Sequence, residues 1–155
     1  TAKHFQETPP TNSLMYLSTD AAVNGSGNNY VMYCFAGKTG YSKIGSYTGN
    51  GSADGTFIYT GFKPAWVMVK RTDSTNNWMI IDNKRTPSNT GTVPEIFADS
   101  NSAENNSTDG RFDYLSNGLK ARGTNAVINA SGGTYLYMAF GQSLVGSNNV
   151  PCTAR

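Results

Sequence analysis

Charge is scarce in this 155-residue chain: 14% of its residues are charged, against about a quarter in an average soluble protein, and the net charge is only +2. So small and scattered a charge excludes the footprint of a nucleic-acid binder. The longest basic cluster is Lys70-Arg71, with Lys84-Arg85 some way beyond. Histidine is rarer still. His4 stands alone near one end, so a Ser/His/Asp or Cys/His nucleophile system has no base to draw on. With two cysteines, Cys34 and Cys152, the chain has too few soft ligands for a zinc site. No apolar run approaches the 18 residues of a membrane span. Helical periodicity is also missing, apart from a single turn expected near residues 94–99.

What replaces charge is Gly, Asn, Ser and Thr, residues of turns and of solvent-facing strand positions. Aromatic residues reach 12%, which sets the chain apart from disordered sequences. Short runs rich in aromatic and β-branched residues predict strands at 30–36, 56–59, 65–70 and 78–82. Weaker ones fall at 14–17, 41–47, 112–115, 118–122 and 135–140. Turn clusters such as Gly49-Asn50-Gly51-Ser52 and Asp73-Ser74-Thr75-Asn76-Asn77 separate them. Alternation puts Val67 and Val69 on one face of a strand and Trp66, Met68 and Lys70 on the other, with Pro64 at the strand entrance, where no ladder donor is lost. The expected fold is all-β: an antiparallel β-sandwich of jelly-roll or lectin-like kind with almost no helix. Cys34, inside an alternating apolar run, is expected as a small buried thiol; a Cys34–Cys152 disulfide is the alternative.

The chain also repeats itself. Asn24 and Asn129 are 105 residues apart, and at that offset Leu14 matches Leu119, Thr19 matches Thr124 and Ala21 matches Ala126. Ser26-Gly27 matches Ser131-Gly132, Tyr30 matches Tyr135 and Phe35 matches Phe140. A period this long signals tandem domains rather than a solenoid. Residues 1–36 therefore read as the closing strands of a truncated first repeat, integrated into the fold. Residues 37–141 read as a complete sandwich unit and 142–155 as a C-terminal tail. A closing third cannot bury its apolar strand alone, so residues 30–35 must pair with the following unit, another copy or an upstream segment. Opening on Thr1, the chain is expected to be a processed product or a fragment.

Several stretches carry a family resemblance: Tyr33-Cys34-Phe35-Ala36; Gly45-Ser46-Tyr47-Thr48-Gly49-Asn50-Gly51; and Gly61-Phe62-Lys63-Pro64-Ala65-Trp66-Val67-Met68-Val69-Lys70-Arg71-Thr72-Asp73. Further matches are Trp78, Asp82-Asn83-Lys84-Arg85, Leu115-Ser116-Asn117-Gly118, Tyr135-Leu136-Tyr137-Met138-Ala139-Phe140 and Pro151-Cys152-Thr153-Ala154-Arg155. Nearly the whole chain resembles a domain of unknown function at or near the C-terminus of tail-fibre or appendage proteins of tailed, notably marine, bacteriophages. The resemblance implies a β-sandwich, a virion or extracellular location and work at the host surface. Similar sequences carry Ala where this one has Cys152.

No enzyme machinery is expected, and no cofactor or metal. The ten acidic residues fall mostly in turn-like segments, where Asp caps turns. Asp99, Asn101 and Glu104 have the oxygen chemistry of a Ca²⁺ site without its loop pattern. Five Asn-x-Ser/Thr sequons arise readily from this composition. Glycan binding needs aromatic planes beside amides or carboxylates. Trp78, next to Asn77 and Asp73, is the leading candidate, with Tyr47 and Tyr59 beside the Gly49–Gly55 loop as secondary ones. The bland alternative puts Trp66 and Trp78 in the core. The expected partners are further copies of the chain in a trimer or larger assembly, other virion proteins and a host-surface glycan, with neither nucleic acid nor membrane insertion. The competing expectation is a purely structural subunit, a decoration or filament former that exchanges strands between copies.

Overall fold

The computed structural model describes residues 8–85, 89, 91–108 and 111–142, and the chain divides into two units, Thr1–Phe35 and Ala36–Arg155. His4, Cys152 and the expected tail beyond residue 142 lie outside the described residues.

The larger unit is an antiparallel β-sandwich. Its strands are β1 (Ser42–Thr48), β2 (Asp54–Tyr59), β3 (Pro64–Arg71), β4 (Met79–Asp82), β5 (Val93–Phe97), β6 (Asn105–Ser107), β7 (Arg111–Leu115), β8 (Gly118–Arg122) and β9 (Thr134–Gly141). Six of them form one sheet in the order β1-β9-β3-β4-β5-β6, and three form the other in the order β2-β8-β7. Strand β9, next to the edge strand β1, pairs Tyr137 with Gly45 of β1 on one side and with Val69 of β3 on the other.

Period-2 alternation builds the core between the sheets. Val67, Val69, Met79, Ile81, Tyr135, Tyr137 and Ala139 enter it from the larger sheet, and Ile58, Phe112, Tyr114, Leu119 and Ala121 from the smaller. Burying each large side chain contributes about 1.5–3 kcal/mol. Register puts Trp66 beside Phe140 and Met68 beside Met138, on the opposite face of the larger sheet from Val67 and Val69. Both tryptophans are only half-buried, so neither fills the core. Val, Ile and Tyr fill it instead, and the outer face of the larger sheet is apolar as well.

Three expectations are corrected. Residues 93–97 form a strand, not a helical turn. Val93 and Glu95 alternate inward, and β4 pairs with β5 only at Ile96 and Phe97, so the N–H that Pro94 lacks is not needed on that side. Edge strand β6, all polar, carried no hydrophobic pattern to announce it. Residues 30–36 form no strand at all. Val31 and Tyr33 are 79% and 80% exposed, and Cys34 is exposed rather than buried. Alternation there signals fitness for a sheet, but no sheet receives it among the described residues.

The smaller unit holds one helical turn, α1 (Ala21–Asn24), capped by Asp20, whose carboxylate accepts from the Ala22 N–H at 2.8 Å. Leu17 makes a single bridge where a strand was expected over residues 14–17.

Candidate functional site

A depression of about 350 Å³ opens where the start of β1 and the end of β2 meet the turn at residues 37–40. The turn is tied down locally: Lys38 N–H donates to Ser42 O at 2.9 Å, and Ser42 Oγ donates to Ala36 O at 2.9 Å. Across the depression, the N–H groups of Thr60 and Gly61 both reach Asn117 O. Tyr59, 57% exposed, lines it. Lys43 Nζ donates to Tyr59 O at 2.8 Å and lies 5.0 Å from the ring centroid, a cation–π contact. An exposed aromatic ring, an ammonium and the exposed Thr39 thus line one open hollow, while the Ser42 and Thr60 hydroxyls are buried and bonded within the fold.

The other candidate residues go elsewhere. Tyr47 stacks on Tyr135 with ring centroids 4.8 Å apart and donates to Ile128 O at 2.7 Å. Burial, reinforced by Tyr135, pushes its phenol well above the ordinary tyrosine range. Tyr47 is thus half-buried against the core, with its ring and hydroxyl both engaged by the fold. Asp73 is held by Arg71 through two hydrogen bonds of 2.8 and 3.1 Å, which lowers its pKa to about 2. Asn77 is exposed. Trp78 packs with Ile44, Met68, Leu136 and Met138 around a hollow of about 20 Å³, room for one water. That hollow contains neither Asn77 nor Asp73, so the expected constellation is not assembled as a pocket. The other charged groups are taken up structurally: Arg122 pairs with Asp113 at 2.6 Å, Lys120 with Asp54 at 3.0 Å, and Arg85 with both Asp82 and Glu104. Asp99 accepts from the Trp78 N–H at 3.0 Å. No group of three or more His, Cys, Asp or Glu gathers as a metal site among the described residues.

A second feature is the corner before β9. Asn125 Oδ1 accepts from Val127 N–H, and Asn125 O accepts from Asn129 N–H, both at 2.8 Å. Tyr135 Oη donates to Ala126 O and accepts from Ala130 N–H, both at 2.8 Å. Asn129, fully buried, sends its amide to Gly123 O at 2.9 Å, Asn50 Oδ1 at 3.0 Å and Ser52 O at 2.8 Å, while its Oδ1 accepts from Asn50 N–H at 2.9 Å. The Gly49-Asn50-Gly51 loop thereby docks on the corner. Gly49 is required there, since a Cβ on it would lie 2.3 Å from Ala130 O.

The smaller unit builds the frame of the same corner 105 residues earlier. Ala22 N–H donates to Asp20 Oδ1 and Asn24 N–H to Asp20 O, both at 2.8 Å. Tyr30 Oη donates to Ala21 O at 2.6 Å and accepts from Gly25 N–H at 2.8 Å. Asn24 Nδ2 donates to Ser18 O at 3.0 Å, the counterpart of Asn129 to Gly123. Gly27 has φ +76° where Gly132 has +71°. The sequence repeat pointed to this echo, but not to its hydrogen bonds.

The family described as Domain of unknown function (DUF7483) matches residues 1–143. Comparison with curated proteins and with solved structures finds no match.

Proposed function

The chain belongs to the DUF7483 family, whose function is itself undefined, and we propose, from its resemblance to phage appendage domains together with the geometry of the hollow, a non-enzymatic module of a virion appendage that contacts carbohydrate at a host surface. The observation that carries this reading is the Tyr59 depression. Its exposed ring offers a plane for a sugar face, exposed Thr39 brings a hydroxyl, and Lys43 supplies a cation suited to an acidic sugar. An open site of this size binds weakly, and several copies in one appendage raise the effective affinity. A glycan array probed with a multimerised form of the chain tests this. Signal is expected on acidic glycans, lost in Tyr59→Ala with unchanged melting, and kept in Trp78→Ala below the melting temperature of that variant. Binding by Tyr59→Ala equal to that of the parent would overturn the reading.

A second reading, a purely structural subunit, is favoured by the corner of the smaller unit, which has the geometry of a docking surface.

A further inference from the structure

The two corners differ in what fills them. In the larger unit, Gly51 N–H donates to Asn129 O at 3.0 Å, Gly49 N–H to Gly133 O at 2.8 Å and Tyr47 Oη to Ile128 O at 2.7 Å, while Gly132 N–H donates to Gly49 O at 3.0 Å. In the smaller unit the counterparts are Asn24 O, Asn28 O, Val23 O and Gly27 N–H, and none of these atoms has a hydrogen-bond partner among the described residues. Asn24 is exposed where Asn129 is fully buried, and Tyr30 is 45% exposed where Tyr135 is 1%. A capped turn, a buttressing tyrosine and an oriented asparagine amide are thus already in place, and no described residue takes the part of the docking loop.

We infer that the corner at residues 18–35 is a receptor for a strand and Gly-Asn-Gly loop equivalent to residues 42–54, supplied by another domain of this same kind whose own loop lacks a corner. This rests on the structural reading above and is independent of the carbohydrate one. The occupant follows from counting bonds. In a second intact copy, the loop is already held by that copy's own residues 129–133, so exchange trades equal bonds without gain. A domain with an unfilled loop gains the full set: two hydrogen bonds with Asn50, one with the Ser52 carbonyl, and the backbone bonds of Gly49 and Gly51. Residues 30–35 would then occupy the position of β9, against a strand like β1.

Register makes the test specific. Cys34 occupies the place of Ala139, which lies opposite Lys43 of β1, while Ile44 points to the other face. The full chain, with Cys152→Ser so that Cys34 is the only thiol, is equilibrated in a glutathione buffer with a peptide of residues 38–56. One peptide carries Lys43→Cys and a second carries Ile44→Cys. Docking predicts roughly tenfold more mixed disulfide from the Lys43→Cys peptide, because a docked thiol reacts at raised effective concentration. The preference should vanish when the chain also carries Asn24→Ala. Equal capture of the two peptides, or a preference that survives Asn24→Ala, would overturn the inference. Sedimentation of the chain alone separates this from the broader reading: self-assembly without peptide preference would leave a structural role standing and this receptor refuted.

Discussion

Asn129 places its whole amide inside the protein, and each of its polar atoms meets a backbone or side-chain partner there. Removing such a group takes a partner from the Ser52 and Gly123 carbonyls and the Asn50 N–H at once and undocks the loop that they hold. Asn129→Ala should therefore cost about 3 kcal/mol, read from the urea midpoint. Asn24, its counterpart, holds one described side-chain hydrogen bond and is exposed. Asn24→Ala should change stability by no more than about 0.5 kcal/mol. The contrast matters because the two asparagines sit in the same local sequence, and only the surrounding partners separate them. Of the site residues expected from sequence, Tyr59 was found largely in solvent, beside Gly61 at the far end of β2 from the Gly49–Gly55 loop that singled it out. Tyr47, two strand positions from that loop, was not. Its fate depends on Tyr135 and Ile128, both more than 80 residues away.

The elements with an unbroken run of β-branched and aromatic residues were the legible ones. β3 shows this: Val67 and Val69 go inward as alternation requires, and Pro64 enters the strand where expected. β5 was obscured by Pro94 and by Glu95, a buried carboxylate that accepts from Asn105 Nδ2 at 3.1 Å. Residues 30–36 carry nearly the apolar pattern of β9, yet pattern alone does not say whether neighbours are present to form a ladder. Trp78 was placed beside Asn77 and Asp73 by sequence adjacency, whereas strand alternation turns it onto an apolar sheet face. Loop docking is the element-scale feature most open to test. Gly49→Ala drives a Cβ into the Ala130 carbonyl, backbone against backbone, which neither side relieves by a side-chain rotation. It should destabilise the larger unit by about 2 kcal/mol or more and lower Tm by roughly 5–10 °C in calorimetry.

Across the larger unit, the core depends on tyrosines kept neutral. Burial raises the pKa of Tyr47, Tyr114, Tyr135 and Tyr137 above the ordinary tyrosine value of 10.0. A folded-state pKa above the unfolded one means that the stability these rings contribute is fully present below pH 10. It is lost as pH rises, because the unfolded chain releases phenolic protons that the folded one retains. Equilibrium unfolding from pH 9 to 11 should show that decline, and Tyr137→Phe should flatten it. The all-β sandwich was legible from turns and alternation; the division of labour between two like corners was not, since it lies in hydrogen bonds that only coordinates reveal. Amide hydrogen exchange on the full chain tests that division most directly. The Gly132 N–H, bonded to Gly49 O, is predicted to exchange slowly, while the Gly27 N–H exchanges at close to the unprotected rate. Equal protection at Gly27 and Gly132 would contradict the account.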